Sequence, residues 1–178
     1  MAHFEEQLTH RMMFSGHMVE VWQDRVELET GRSAMREGVT KGAAVCVLAR
    51  QGDTIWFVRQ YRYPVREELL ELPAGKLDKG ETPEQGALRE LKEETGLVPD
   101  RLVELGHIWV SPGWTNEKIY LYYADGLDQQ EAHPDEDELL TVCSLPMSEA
   151  KKLLLSGELC DGKSVAALAL AMARGLLD

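Results

Sequence analysis

The sequence predicts an α+β fold in one domain. The chain has 178 residues, a length that favours one domain with a single core. Most of its apolar segments are short runs typical of strands, and only a few segments show the periodicity of an amphipathic helix. Hydrophobic residues make up 44% of the chain and charged residues 28%, which is the balance of a globular protein.

The elements follow from alternation, turn residues and helix boundary signals. Residues 18–28 alternate apolar and polar side chains, which predicts an exposed or edge hairpin, and the first 35 or so residues suggest a small sheet. The sequence QGD predicts the turn of a second hairpin. Further strands are predicted at 42–50, 54–62, 102–110, 118–125 and 139–145, and the segment 68–75 predicts a short strand that ends at Pro73. Helices are predicted at 83–95, 148–156 and 164–176.

Charge and cysteine content exclude several classes of protein. A net charge of −12 argues against nucleic acid or an anionic membrane as partner, because both attract clustered Lys and Arg. The negative net charge does not exclude a phosphate substrate, because a bound cation reverses the local electric field. Cys46, Cys143 and Cys160 form no CxxC pair, and the N-terminus lacks a long apolar run. We therefore expect reduced cysteines and a cytoplasmic protein.

One predicted helix has clear boundary signals. Thr82 is a suitable N-cap, Pro83 suits the first helical position, and Gln85 stands where a capping box needs Glu or Gln. Gly96 can adopt the left-handed conformation that ends a helix. These signals predict a helix over Pro83–Thr95.

The same helix carries three acids on one face. Glu90, Glu93 and Glu94 are three and four positions apart, and each such pair of like charges destabilises a helix by about 0.2–0.5 kcal/mol. The helix dipole also disfavours anions near this end. A divalent cation would reverse both effects, and ligands that are all oxygen suit Mg²⁺ or Mn²⁺. The alternative is a solvated acidic face paired with Arg89 and Lys92.

The surrounding sequence favours the cation. The stretch GKLDKGETPEQGALRELKEETGL, residues 75–97, resembles the Nudix box, the signature of the Nudix hydrolases, at every defined position. Those positions are Gly75, Glu81, Arg89, Glu90, Leu91, Glu93, Glu94, Gly96 and Leu97. The resemblance implies an α/β/α sandwich around a mixed sheet, with an N-terminal β arm at 1–38 and a catalytic core at 39–178. It also implies a homodimer that exchanges its arms.

Segments outside the box resemble the ADP-ribose pyrophosphatase branch. These are VRQYRYPV at 58–65, ELPAGKLDKGE before the helix, SPGWTNE after it with Pro112 fifteen residues beyond Leu97, and HPDEDELL at 133–140. The branch implies Mg²⁺-dependent hydrolysis of ADP-ribose to AMP and ribose 5-phosphate. Alternatives are another nucleoside diphosphate sugar, a dinucleoside polyphosphate or an oxidised nucleotide, and a regulator of Nudix fold without turnover.

The resemblance also implies the metal ligands. Glu90 and Glu94 are the main ligands of Mg²⁺, for which Mn²⁺ is the alternative metal, and the backbone carbonyl of Ala74 is a further ligand. Glu93 serves another metal or its waters. Arg89 orients the carboxylates. Glu81 supports the loop before the helix, either directly in the site or through an ion pair between loop and helix.

The implied general base lies outside the box, in the acidic loop at 133–140. Glu136 is the preferred candidate and Glu138 the next, the latter also as a metal ligand. If the alignment with the branch shifts by one residue, Asp135 or Asp137 is the candidate general base instead. A solvated acidic loop is the alternative.

Substrate contacts are implied at two arginines and one loop. Arg36 and Arg62 match positions that contact phosphate or base, and an arginine fork can donate two parallel hydrogen bonds to phosphate. The loop contributes Pro112, Gly113 and Glu117, the last as a contact to the terminal ribose. Trp22 and Trp114 are aromatic candidates for stacking on adenine, with a place in the core or in the dimer interface as the alternative.

Overall fold

A computed structural model describes residues 3–133 and 139–178. The strands are β1 Glu5–Ser15, β2 Glu20–Leu28, β3 Ser33–Thr40, β4 Ala44–Gln51, β5 Thr54–Arg62, β6 Glu67–Glu71, β7 Ala74–Lys76, β8 Leu97–Trp109, β9 Lys118–Gln129 and β10 Leu140–Pro146. The helices are α1 Pro83–Thr95, α2 Met147–Ser156 and α3 Gly162–Ala173.

The chain divides into two compact units. The arm unit contains the residues up to Gly42 together with Trp109–Lys118, and the core unit contains Ala43–Ile108 and Ile119–Asp178. The predicted arm at 1–38 did not include the loop segment around Trp114, which groups with it here. The predicted division into arm and catalytic core stays a prediction.

The arm unit is a three-stranded antiparallel sheet with the order β1-β2-β3. The prediction of an exposed or edge hairpin at 18–28 is wrong, because this segment supplies β2, the central strand. The turns lie on either side of it, at Gly16–Val19 and at Leu28–Arg32. Strands β1 and β3 were not predicted, since polar residues interrupt their apolar alternation.

The core unit is built on one mixed sheet. Its described strands have the order β10-β5-β4-β9-β8, with β6 on β5 and β7 on β4. Strands β4 and β9 pair in parallel, and β4 pairs with β5 antiparallel across the predicted QGD turn. The α+β prediction and the mixed sheet are confirmed.

Helices cover both faces of this sheet because side chains of a strand point alternately to its two sides. Cys46 and Leu48 of β4 belong to an apolar cluster that includes residues of α2 and α3. Val45 and Val47 belong to a second cluster that includes residues of α1. The core unit is therefore an α/β/α sandwich, as the sequence resemblance implied.

The segment 68–75, predicted as one short strand ending at Pro73, contains parts of two strands. Strand β6 pairs with β5, whereas β7 pairs with β4. The break falls at Leu72 and Pro73, where proline has no N–H to donate to a ladder, while its carbonyl accepts from Val47 N over 2.9 Å. This change of partner brings Ala74 and Gly75 to the central strand.

Helix α1 has the bounds that were predicted, and the other two helices agree with their predictions to within three residues at each end. Helix α3 begins two residues before its predicted start because Asp161 caps it, accepting from Ser164 N. In the described part of the chain, no helix is long and apolar enough to cross a membrane.

Candidate active site

Helix α1 is fixed at both ends, as its sequence predicts. The Thr82 side chain accepts from Gln85 N over 3.3 Å, and the Gln85 side chain accepts from Thr82 N over 3.0 Å. Gly96 ends the helix with φ 73°, in the left-handed region that glycine adopts without strain. Because both ends are fixed, the side chains along α1 keep a defined register against the sheet.

Two of the three clustered acids are buried. Glu90 is 8% exposed and Glu94 3% exposed, and they lie beside the core residues Ala87 and Leu91 of the same helix. The side chain of Glu93 is 43% exposed. A solvated acidic face is therefore excluded for Glu90 and Glu94. Burial of carboxylates costs free energy unless hydrogen bonds or cations compensate for it.

The buried acids lie against the backbone of β7. Ala74 N donates to Glu94 Oε2 over 3.1 Å. A Cβ placed on Gly75 would lie 2.0 Å from Cδ of Glu90, so only glycine fits at this position without moving the carboxylate. The turn after Pro73 thus brings two backbone units and two carboxylates into contact.

Arg89 links the acids to the loop before the helix. Its Nη1 donates to Glu90 Oε1 over 2.8 Å and to Glu93 Oε2 over 2.9 Å. Its Nε and Nη2 donate to Glu81 over 2.9 and 2.8 Å, and Nη2 also donates to the carbonyl of Lys76 over 2.8 Å. The bonds to Glu81 raise the pKa of Arg89 and lower that of Glu81. Glu81 therefore makes the ion pair between loop and helix.

Arg62 is held by a carboxylate that the sequence analysis missed. Its Nε and Nη2 each donate to Glu71 over 2.7 Å in a bidentate pair. Glu71 is 1% exposed, whereas the Arg62 side chain is 39% exposed. These bonds raise the pKa of Arg62, and the charges of Asp161 and Glu94 add to the rise. Of the buried acids of α1, Glu94 therefore contributes to the electrostatic environment of Arg62.

The sequence carries only a weak signal for Glu71. Glu71 is a charged residue inside the apolar run ELLELP, and its partner Lys163 follows the helix-capping Asp161 in the sequence DGKS. Either alone is an ordinary surface pattern. The fold brings them together over a separation of 92 residues.

The predicted substrate residues of the arm unit carry other partners. Arg36 Nε donates to Glu5 Oε2 over 2.8 Å at an exposed position. Lys41 Nζ donates to Glu117 Oε1 over 2.5 Å in a half-buried pair. The loop with Pro112 and Gly113 is bound to β3, since Val39 N donates to the Trp114 carbonyl over 2.8 Å.

The two tryptophan candidates differ in their environment. Trp114 is 56% exposed. Trp22 packs over Gly38, where an added Cβ would lie 2.1 Å from its ring, and its Nε1 donates to Thr40 Oγ1 over 3.1 Å. Trp22 is therefore anchored within its own sheet. The general-base candidates Glu136 and Glu138, with Asp135 and Asp137, lie outside the described residues.

The donor set on α1 and β7 suits a hard divalent cation. The buried carboxylates of Glu94 and Glu90 adjoin the backbone at Ala74 and Gly75 respectively. The ligand atoms that they offer are all oxygen, which Mg²⁺ and Mn²⁺ prefer. Within residues 3–133 and 139–178, no three His, Cys, Asp or Glu side chains form a group that could hold a metal ion by themselves. A cation here would need oxygen atoms beyond these side chains.

Known proteins share this sequence and fold. A solved structure described as an ADP compounds hydrolase superposes with a TM-score of 0.87 over 97% of this chain and 95% of its own. At 23% sequence identity, this likeness shows a shared fold alone. A protein of Bacillus methanolicus named methanol dehydrogenase activator is 40% identical over 93% of this chain and 91% of its own.

A protein of Bacillus subtilis (strain 168) named ADP-ribose pyrophosphatase is 36% identical over 92% of this chain and 90% of its own length. One of the same name from Mycobacterium tuberculosis is 33% identical over 92% of this chain and 81% of its own. The NUDIX domain profile matches residues 39–168. Because this profile covers more than half of the chain, and Glu90 and Glu94 of the box are buried against β7, the chain belongs to the Nudix family.

Proposed function

We propose that this chain is a Nudix pyrophosphohydrolase that cleaves ADP-ribose to AMP and ribose 5-phosphate with Mg²⁺. The observation that carries the proposal is the pair of buried acids against β7, with Glu94 on the backbone of Ala74 and Glu90 beside Gly75. The choice of substrate rests on the relatives named ADP-ribose pyrophosphatase, which match more than nine tenths of this chain.

The chemistry needs positive charge at the diphosphate. A bound divalent cation supplies it by neutralising phosphate oxygens and by acidifying a water. Glu90, Glu94 and the Ala74 carbonyl would hold that cation, and Glu93 would hold another or its waters. Nudix hydrolases generally need a divalent metal, and the oxygen donors here favour Mg²⁺ with Mn²⁺ as substitute.

The chain's own residues would prepare the rest of the reaction. Arg89 fixes Glu90 and Glu93 in one orientation through Nη1. Arg62 keeps Nε and one hydrogen of Nη2 on Glu71, so Nη1 and the second hydrogen of Nη2 could donate to a phosphate. The general base would come from Glu136, or else Glu138. Arg36, Pro112, Gly113 and Glu117 are the further proposed substrate contacts.

Two other functions remain as candidates. Another nucleoside diphosphate sugar is one, since a Yersinia enterocolitica protein named GDP-mannose pyrophosphatase is 34% identical over 76% of this chain and 75% of its own. A regulator is the other, because the Bacillus methanolicus relative is named as an activator of an enzyme. The complete set of box acids favours turnover over a purely regulatory role.

The deciding experiment is a substrate panel. Purified protein is incubated with Mg²⁺ or Mn²⁺ and ADP-ribose, ADP-glucose, GDP-mannose, diadenosine polyphosphates, dGTP or oxidised dGTP, and products are separated by chromatography. We expect AMP and ribose 5-phosphate from ADP-ribose far faster than products from the others. If another compound is hydrolysed faster, that compound replaces ADP-ribose as the proposed substrate. If nothing is hydrolysed with either metal, the regulatory function is favoured.

The proposed assembly is a homodimer that exchanges its arms, in the cytoplasm. The arm unit exposes apolar side chains that a partner would cover, namely Phe4, Leu8, Met12, Met13, Phe14, Met18 and Met35. We expect a dimer by light scattering after gel filtration and a shift toward monomer for Phe14→Asp. A monomeric wild-type protein would contradict the dimer without affecting the proposed chemistry.

A further inference from the structure

Four charged side chains form a chain of contacts beside the candidate active site. Arg62 binds Glu71 through two nitrogens, and Lys163 Nζ donates to Oε2 of the same carboxylate. Lys163 Nζ also donates to Asp161 Oδ2 over 3.0 Å. The side chain of Lys163 is 11% exposed and that of Asp161 14%. We call these four residues the charge cluster.

The charges in the cluster balance, with two cations and two carboxylates. Burial pulls the pKa of Lys163 down, but the charges of Asp161 and Glu71 raise it above its ordinary value, so the amine stays protonated. Without Lys163, the Arg62 guanidinium would face two carboxylates and the cluster would carry one net negative charge. A negative cluster would repel the phosphates of a substrate.

The start of α3 also holds the strand that leads to the metal-binding turn. Ser164 is fully buried, and its Oγ accepts from Leu72 N over 2.7 Å while donating to Asp161 Oδ2 over 2.5 Å. Leu72 is two residues before Ala74. The segment Asp161–Ser164 therefore contacts both Glu71, which holds Arg62, and the backbone that continues to Ala74.

We propose that Lys163 is a positioning residue that keeps Arg62 oriented and its positive charge available to the substrate diphosphate. Lys163 shares Glu71 with Arg62, so the carboxylate orients the guanidinium without cancelling its charge. Asp161 holds Lys163 in place and caps α3. The inference rests on the proposed function in one respect only, that the anion Arg62 meets is the diphosphate of ADP-ribose.

Two substitutions that change the net charge of the cluster in opposite directions can distinguish a positioning role of Lys163 from a purely structural one. Lys163→Met makes the cluster negative, whereas Asp161→Asn makes it positive and keeps an N-cap, because Asn caps helices as well as Asp. Binding of ADP-ribose is measured by calorimetry in EDTA, where no turnover occurs. We expect Lys163→Met to weaken binding about tenfold, the scale of a lost charged hydrogen bond, and Asp161→Asn to bind at least as tightly as wild type.

Two further variants complete the binding test. Lys163→Arg keeps the positive charge in the cluster and should bind more tightly than Lys163→Met. Lys152→Met, on the exposed side of α2, is the matched control and should not change binding. With Mg²⁺ present, Lys163→Met should raise KM more than it lowers kcat. If Lys163→Met and Asp161→Asn both weaken binding in proportion to their fall in Tm, the role is structural and the proposal is wrong.

A spectroscopic signal tests the positioning without any substrate. The Arg62 Nε–Hε resonance, assigned by its loss in Arg62→Lys, reports the bond to Glu71. We expect it to shift in Lys163→Met and to stay near its wild-type position in Lys163→Arg. An unchanged resonance in Lys163→Met would overturn the proposal. If wild type neither binds nor hydrolyses ADP-ribose, the proposed function fails, and this resonance still decides the role of Lys163.

Discussion

Gly75 faces the carboxyl group of Glu90 so closely that a Cβ would lie 2.0 Å from its Cδ. Glu90 cannot simply turn away, because Arg89 holds it and the residue is 8% exposed. The close approach explains in physical terms why the first position of the box is glycine. It also makes this glycine a probe of carboxylate position.

Gly75→Ala should therefore reduce activity far more than stability. The added methyl group would displace the Glu90 carboxylate but would disturb few apolar contacts. We therefore expect activity to fall about 10- to 100-fold and the free energy of unfolding to fall by about 1 kcal/mol. The matched control is Gly42→Ala, where no atom lies within 4 Å of the added Cβ. Equal activity of both variants in the ADP-ribose assay would contradict the placement of Glu90.

Glu94→Gln should abolish nearly all turnover and the response to metal. Its carboxylate accepts from Ala74 N and is 3% exposed, and an amide supplies no charge to a cation. A ligand that binds only the folded state stabilises it, so Mn²⁺ should raise the Tm of wild type but not of this variant. Glu84→Gln, exposed on the first turn of the same helix, should behave as wild type. A metal-dependent Tm in Glu94→Gln would count against this ligand.

Arg89→Lys should lower activity although it keeps the charge. Arginine here donates to Glu81, Glu90 and Glu93 at once, and an ammonium group cannot span those positions. We expect a loss of about 10- to 100-fold in metal affinity or activity, the usual effect of removing a group that orients ligands. Arg101→Lys, in the exposed pair with Asp125, is the control. Wild-type metal affinity in Arg89→Lys would remove its orienting role.

Glu71 should make stability depend on pH in the acid range. Burial raises the pKa of Glu71, but hydrogen bonds from Arg62 and Lys163 outweigh it, so the pKa lies below its ordinary value of 4.5. A carboxyl group with a lowered folded pKa contributes stability above its unfolded pKa, and that contribution is lost as pH falls through the folded value. Wild type should therefore lose stability steeply below about pH 4.5.

Glu71→Gln tests that dependence. The variant should be less stable at neutral pH by about 3–5 kcal/mol, because it breaks a buried ion pair, and its stability should fall less between about pH 5 and about pH 3. Glu67→Gln, exposed at the other end of β6, should keep the wild-type dependence. Denaturant unfolding at several pH values gives the comparison, and parallel curves for Glu71→Gln and wild type would refute the assignment.

The sequence predicted α1 and its acids well because the signals there are local. The capping box, the glycine at the end of the helix and the spacing of the Nudix box all fall within 23 positions. The first two signals predict the start and the end of the helix directly. Periodicity also located most strands of the core sheet. The split at Pro73 was visible as a proline in a strand pattern, yet the change of partner from β5 to β4 depends on tertiary pairing.

The charge cluster was not predictable in the same way. Periodicity reports which residues are buried, and it does not report which charges meet across the fold. Glu71 reads as a strand acid and Lys163 as a residue in the first turn of a helix. The arm strands β1 and β3 were missed for a related reason, since every residue of β1 is exposed and leaves no alternation to detect.

The contact between Leu72 and Ser164 spans 92 residues, and this distance has a consequence during synthesis. At about 5–20 residues per second, roughly 5 to 20 seconds separate the emergence of Glu71 from that of its lysine. For most of that interval, once Leu97 has been made, the sequence of the box helix is complete but the Glu71 carboxylate lacks one of its two cations. A nascent chain cut short before Asp161 would thus display the whole family signature and still lack Lys163, the second cation on the carboxylate that binds Arg62.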